Sequence, residues 1–288
     1  MIDRTALLLP ICLLMAALTG CSTDGRDPVE AVATIRPVAL IVEPVTGSDV
    51  PELLPASASP HTHDPRPSDL RAATSASIIL YGSPDLDGWA ATFDVPRKVA
   101  LLSFVPESLL VLVTEEHADP HFWMDPLVVR AILPALTDTL CAIASERCAG
   151  YREAAAAFAE HLVALHDSIN VMMREFEGEP ILAAHPFLSY FARRYGLEMA
   201  GVVEEIPGSE PTPAGLMRMI EAARSTGARV IFTQPQHSSR VAHAVAEASG
   251  MTVVELDPIG GGVDGYADLL YFNASRIQNA LATTTSHR

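Results

Sequence analysis

Between Tyr151 and Phe176 the apolar residues Tyr151, Ala155, Phe158, Leu162, Leu165, Ile169, Met172 and Phe176 recur at alternating steps of four and three. That is the period of one helix face. Glu153, Glu160, Asp167, Arg174 and Glu175 lie off the stripe. Ala154–Ala157 favour helix, and Gly178 and Pro180 end it. At 1.5 Å per residue such a helix spans roughly 39 Å, enough to run beside two small lobes.

The flanking pattern is different. Apolar runs of four to seven residues alternate with amphipathic ones. Before the long helix, Ala31–Ile35, Val50–Leu54, Ala76–Tyr81, Val99–Phe104 and Leu109–Thr114 read as strands. Helices are expected at Val38–Val42, at Leu70–Ser75 and from Asp125 to about Ala144. Asp125 before Pro126 makes a cap followed by a first-turn proline. After the long helix the expected strands are Pro180–Ala184, Leu197–Val203, Arg229–Thr233 and Thr252–Leu256. The helices there are Pro186–Arg194, Pro213–Ser225, Ser238–Ser249 and Tyr266–Leu281. This alternation predicts an α/β fold of two lobes, each a mostly parallel sheet flanked by helices, joined by one long rigid helix. The expected boundaries are 31–150 for the first lobe, 151–177 for the connecting helix and 178–288 for the second lobe.

The first thirty residues belong to neither lobe. Arg4 precedes the apolar run Ala6–Leu18, which is too short to span a bilayer as a stable helix and has the shape of a signal peptide. Leu18-Thr19-Gly20-Cys21 resembles a bacterial lipobox. That resemblance implies removal of residues 1–20, lipid on the Cys21 sulfur and a tether over 21–30. The protein is then exported and held by its lipid at the outer face of the cytoplasmic membrane or in the periplasm. An ordinary signal peptide is the alternative. Export also leaves Cys141 and Cys148 as an even pair in a compartment that permits disulfides. On one continuous helix their Cα atoms would stand about 10.5 Å apart, too far to bridge. A bond requires the helix to end near Ser145–Arg147; two buried free thiols are the other reading.

With 288 residues, 49% of them hydrophobic, a packed core is assured. A net charge of −16 with only 19 basic residues argues against nucleic acid as a partner. The chemistry gathers at strand ends. His61, His121, His185 and Asp257 each stand in a loop after a strand candidate, where α/β sheets bind ligands. Each half of the chain contributes two of them, so facing lobes would bring all four into one cleft. Three imidazoles and a carboxylate form a tetrahedral N/O set suited to zinc.

These residues carry a family resemblance. The stretch 59–69 (SPHTHDPRPSD), the stretch 119–126 (DPHFWMDP), His185 with 187–197 (FLSYFARRYGL) and the stretch 253–261 (VVELDPIGG) resemble the four metal-binding loops of cluster A-I (ZnuA/TroA-like) solute-binding proteins of zinc and manganese ABC importers. Thr233-Gln234-Pro235-Gln236 and Tyr271-Phe272-Asn273 also fit, and the likeness covers roughly Ala31–Leu281. It implies a binding protein rather than an enzyme, with Zn²⁺ as cargo held by His61, His121, His185 and Asp257. It implies little hinge closure and delivery to an integral-membrane permease. A monomer is expected. Manganese members usually carry a carboxylate where His185 stands, so Mn²⁺ or mixed binding is the alternative.

The chain departs from the pattern at His63, where an aromatic is usual, and in lacking a long His/Asp/Glu-rich loop. Only Glu115-Glu116-His117-Ala118-Asp119 stands there, which makes His63 and His117 candidate accessory ligands. His237 and His243 read as surface residues. A zinc hydrolase would need a His-Glu-x-x-His or comparable motif, which the chain lacks, and Pro120 breaks the His117/His121 spacing. A metal-binding adhesin would keep the same site. Ordinary imidazole proton affinities predict that zinc binding weakens steeply between about pH 7 and 5.

Overall fold

The structure is a computed structural model that describes residues 31–285 apart from 75, 115–116 and 204–211. The signal-peptide segment, the 21–30 tether and Cys21 lie outside the described residues. Among the described residues no helix is long and apolar enough to cross a membrane.

Two parallel sheets form the frame. In the first, β1 (Ala31–Ala33), β2 (Ile78–Tyr81) and β3 (Lys98–Ala100) lie in the order β1-β2-β3. Its helices are α1 (Arg36–Thr46), α2 (Pro67–Thr74), the short α3 (Pro84–Asp87) and α4 (Pro126–Cys141). In the second, β4 (Pro180–Ala183), β5 (Glu198–Val202), β6 (Val230–Thr233) and β7 (Thr252–Glu255) are ordered β5-β4-β6-β7. Between them runs α5, Cys148–Met173, and after it come α6 (Ser189–Tyr195), α7 (Pro213–Thr226), α8 (Arg240–Ser249) and α9 (Tyr266–Thr285).

The long helix serves both sheets. Tyr151, Ala155, Phe158, Leu162, Leu165 and Ile169 are buried against α1 and α4 on one side and α9 on the other. The stripe closes on Met173 rather than Met172, which stays half-buried. A step of four from Ile169 tracks the 3.6-residue period better there than a step of three. One apolar core joins Val128, Ile132 and Leu136 of the first half to Leu269, Leu270 and Ile277 of the second.

Two expected strands are not strands, and a third is cut short. Val50–Leu54 lies beside β1 through a single bridge, Ala33 to Glu52. Pro51 within it and Pro55 just after it lack the N–H groups that would extend the ladder. Val99–Phe104 is strand only to Ala100 and then turns as a 3-10 helix. Leu109–Thr114 makes one isolated bridge, Leu112 to Ala118, and leaves Leu112 and Val113 exposed. A short apolar run does not distinguish a strand from a buried turn by itself. Helix α4 stops at Cys141, and a 3-10 turn at Ser145–Arg147 precedes α5. That break brings the Cys141 and Cys148 Cα atoms to 4.7 Å, and the two are joined by a disulfide.

Hydrogen bonds stitch the halves together across the cleft. Trp123 Nε1 donates to the Pro258 carbonyl at 2.9 Å, and Tyr266 Oη donates to the Trp123 carbonyl at 2.6 Å. Gln236 Nε2 donates to Ala56 O at 2.7 Å, and Arg36 Nη2 to Val263 O at 3.2 Å. Arg194 Nε lies 2.9 and 2.8 Å from the two oxygens of the fully buried Asp125.

Candidate metal centre

His185 follows β4, the strand flanked on one side by β5 and on the other by β6. This is where the strand order reverses, the place at which open α/β sheets form a ligand crevice. His61 sits in a 3-10 turn, Pro60–Thr62, and His121 immediately precedes another, Phe122–Met124. The fold brings these three rings together. Their ligand-capable atoms all lie within 4.8 Å of one another. His61 Nε2 and His185 Nε2 are 3.0 Å apart, close to the ~3.3 Å edge of a tetrahedral shell with Zn–N bonds near 2.0 Å. Ring centroids are 4.8 Å apart for His61–His185, 5.1 Å for His121–His185 and 5.7 Å for His61–His121.

Two of the three rings have a partner behind them. Asp119 Oδ1 accepts from His121 Nδ1 at 2.8 Å and from the His121 backbone N–H at 2.8 Å. The proton therefore stays on Nδ1 and the Nε2 lone pair faces the cleft. The backbone carbonyl of Asp85 lies beside His61 and favours its protonated form. That carbonyl belongs to α3, whose turn is fixed by the buried Asp87 carboxylate. The carboxylate accepts from Thr34 Oγ1, from Gly82 N at 2.9 Å and from Ser83 N at 2.9 Å. A Cβ at Gly82 would come within 2.8 Å of Leu86 Cδ2, so a side chain there would have to displace the buried Leu86. Trp89 Nε1 donates to Pro60 O at 3.2 Å and pins the His61 loop from the other end. His185 Nδ1 is buried without a hydrogen-bond partner among the described residues.

The burial of the site favours neutral rings. Burial, reinforced by the neighbouring charges of His121 and His237, lowers the His61 pKa to about 3. Burial and then His121, His61 and His237 push His185 down still further. Such imidazoles keep their lone pairs available for an ion.

Asp257 follows β7 at the same end of the sheet but stands outside the three-histidine set. Its Oδ1 accepts from Ile259 N at 3.1 Å, Gly260 N at 2.9 Å and Gln236 Nε2 at 3.2 Å; Oδ2 accepts from Gly261 N at 2.7 Å. Asn273 bonds its backbone on both sides, Oδ1 accepting from Asp257 N at 2.8 Å and Nδ2 donating to Asp257 O at 2.9 Å. His63 faces away from the cluster. Its Nε2 lies 2.9 Å from Asp69 Oδ2 and its ring packs edge-on to Trp89, which clamps the loop. Asp69 also accepts from the Arg66 N–H, and although burial opposes it, these bonds hold its carboxyl below the usual range. His117 is exposed beside Asp85 at 3.4 Å and likewise lies outside the set.

Two residues were not anticipated from the sequence. Asp119 had a signal available, an acid two positions before a candidate ligand. His237, expected at the surface, is half-buried and stacks on His185 with centroids 4.8 Å apart and 16° between the planes. Nothing in its local sequence marks it, because the contact is made across the sheet end. His243 is exposed, as expected.

Residues 31–280 match the family described as Zinc-uptake complex component A periplasmic, ZnuA. The high-affinity zinc uptake system protein ZnuA of Bacillus subtilis is 23% identical over 301 residues, covering 93% of this chain and 94% of that protein. A putative metal-binding protein of Thermotoga maritima is 27% identical over 278 residues, covering 94% and 98%. Among solved structures, a ZnuA crystal structure superposes with TM-score 0.77 at 24% identity, covering 88% of this chain and 99% of that one. FpvC of Pseudomonas aeruginosa, in complex with Mn²⁺, superposes with TM-score 0.79 at 21% identity, covering 90% and 100%. The chain belongs to the ZnuA family of periplasmic zinc-uptake proteins, the non-enzymatic metal-binding components of ABC transporters.

Proposed function

We propose that this zinc-uptake protein captures one Zn²⁺ between its lobes on His61, His121 and His185 and hands it to the integral-membrane permease of its importer. The observation that carries this reading is the convergence of three imidazoles within 4.8 Å, brought from both halves of the chain. Nitrogen donors of this kind suit zinc better than manganese, whose preferred ligands are oxygens. The resemblance gives the fourth place to Asp257, whose Oδ1 accepts three N–H groups and whose Oδ2 accepts one. His63 and His117 have no part in this shell. The protein acts as a monomer, tethered to the membrane by lipid on Cys21. Release follows docking on the permease, because the cross-cleft bonds leave the lobes little freedom to open unaided.

Calorimetric titration of demetallated Cys21→Ser protein lacking residues 1–20, with Zn²⁺ and then Mn²⁺, tests the reading. One tight zinc site per chain, lost in His185→Ala, is expected. Tight manganese with weak zinc would reverse the metal assignment. No tight binding of either would mean that the three histidines do not form a transport site. Lipidation is tested separately, by mass spectrometry of the full-length protein from membranes.

A further inference from the structure

The stretch 109–111 belongs to the first lobe, yet side chains of the second lobe hold it. Arg193 of α6 donates from Nη1 to the Leu110 carbonyl at 2.9 Å and from Nη2 to the Leu109 carbonyl. Its guanidinium also lies over the Tyr190 ring, 5.2 Å from the centroid. Tyr190, fully buried on the same helix, accepts the Val111 N–H at its Oη, 3.3 Å away. Three consecutive residues of one lobe thus rest on two side chains of the other. Both side chains come from the short helix that begins just after His185.

Val111 is gripped on its other side as well. Its carbonyl accepts the Asp119 N–H at 2.7 Å, and an isolated bridge from Leu112 to Ala118 continues that pairing outward. The buried Asp119 in turn accepts His121 Nδ1 and the His121 N–H on Oδ1, each at 2.8 Å. The bonds run in one direction: His121 donates to Asp119, Asp119 to Val111, and Val111 to Tyr190. Asp119 Oδ2 has no hydrogen-bond partner among the described residues, so the carboxylate takes its place from the backbone that carries it. Burial, opposed by the Val111 bond and reinforced by the charge of Asp119, pushes Tyr190 up to about 12, and its oxygen remains a neutral acceptor.

We propose that Tyr190 is a positioning residue for zinc capture: from the second lobe it sets, through Val111 and Asp119, the direction in which His121 of the first lobe offers Nε2. The inference rests on His61, His121 and His185 being the zinc site. The second lobe then supplies one ligand directly, His185, and aims another from behind with the helix that follows it. Tetrahedral zinc requires each nitrogen lone pair to point at the ion, and the groups behind a ligating histidine count in the affinity.

Chelator competition on zinc-loaded variants tests it. Tyr190→Phe removes one oxygen and keeps the ring beneath Arg193. Its zinc affinity should fall by about 3–10-fold, less than the roughly 10–100-fold that follows loss of a group bonded directly to a ligating histidine. In an Asp119→Ala background the same substitution should cost little more, because the route to His121 is already cut. A tyrosine that only filled space would add its loss in full. Nitrogen-15 NMR of the histidine rings should show the His121 Nδ1 signal moved in Tyr190→Phe and the His61 signals unmoved. Circular dichroism shows whether each variant is folded. If Tyr190→Phe is not, Arg193→Ala releases the same stretch from its exposed side and carries the same expectations. Wild-type affinity with an unmoved His121 signal, or full additivity with Asp119→Ala, would overturn the inference and leave the three-histidine site standing. Zinc retained in His185→Ala would instead overturn the site itself.

Discussion

Asp119 Oδ1 stands 2.8 Å from His121 Nδ1, with both side chains buried. The carboxylate fixes the tautomer and increases the basicity of the nitrogen that faces the cleft. Its other oxygen has no hydrogen-bond partner among the described residues, so the carboxylate is committed to this histidine. Asp119→Asn removes the charge and keeps the shape. Zinc affinity should drop by about 10–100-fold with little change in fold. Competition against a calibrated zinc chelator reads the affinity, and an unchanged value would show that Asp119 merely fills space.

Acid should act on this protein through two of the same rings. Burial, and then neighbouring imidazole charge, depress His61 to about 3 and His185 further. In the unfolded chain each would titrate near 6.5. A depressed group contributes stability that is present above the unfolded value and is lost as pH falls from there through the folded value. Thermal unfolding of the zinc-free protein should therefore move to lower temperature as pH falls from about 6.5 toward 3, and His185→Gln should flatten that dependence. Proton competition at these two rings begins lower than for ordinary histidines. The steep loss of zinc affinity expected between about pH 7 and 5 should shift downward. Affinity falling tenfold per pH unit for each ring directly below about 6.5 would contradict the depressed values.

The long helix and the second sheet were legible because their periodicity is sustained. Tyr151 to Ile169 follow one face, and each strand of the second lobe ends at a proline, glycine or polar residue. The first lobe was less legible. Leu109–Thr114 is as apolar as a strand yet is not covered, and Val50–Leu54 loses ladder donors at its prolines. Of the site, His61, His121 and His185 could be found because each lies in a loop at a strand end or before a helix. His237 could not, since its stack on His185 joins two strands 50 residues apart in sequence. The Asp85 carbonyl behind His61 was equally hidden, because a backbone group leaves no mark on composition.

The Cys141–Cys148 disulfide closes a loop of only seven residues across the break between α4 and α5. In the chain-entropy account a loop this short is worth about 2 kcal/mol. Cys141→Ser/Cys148→Ser should unfold at lower denaturant with an unchanged slope. Zinc affinity should be untouched, since the bond lies at the start of α5, away from the cleft. A variant with wild-type stability would mean that strain in the folded state offsets the loop entropy.

The two lobes should close little around the ion, and Asp125 shows why. Its carboxylate caps α4, accepting from Leu127 N at 2.9 Å, and receives Arg194 of α6 from the other lobe. Burial raises its pKa despite the opposing arginine and cap donors, so the ionised form depends on those partners. Asp125→Ala removes a cap worth about 1 kcal/mol and leaves a mostly buried guanidinium without its carboxylate, for a combined loss of about 3 kcal/mol or more. Trp123 to Pro258, Tyr266 to Trp123 and Gln236 to Ala56 hold the same cleft shut. With these bonds and one shared core, small-angle scattering of the wild-type protein should give the same radius of gyration with and without zinc. Asp125→Ala should restore a difference between the two. A wild-type protein that compacts on binding zinc would mean that the cross-cleft bonds break and re-form during capture, and the rigid α5 would then act as a hinge.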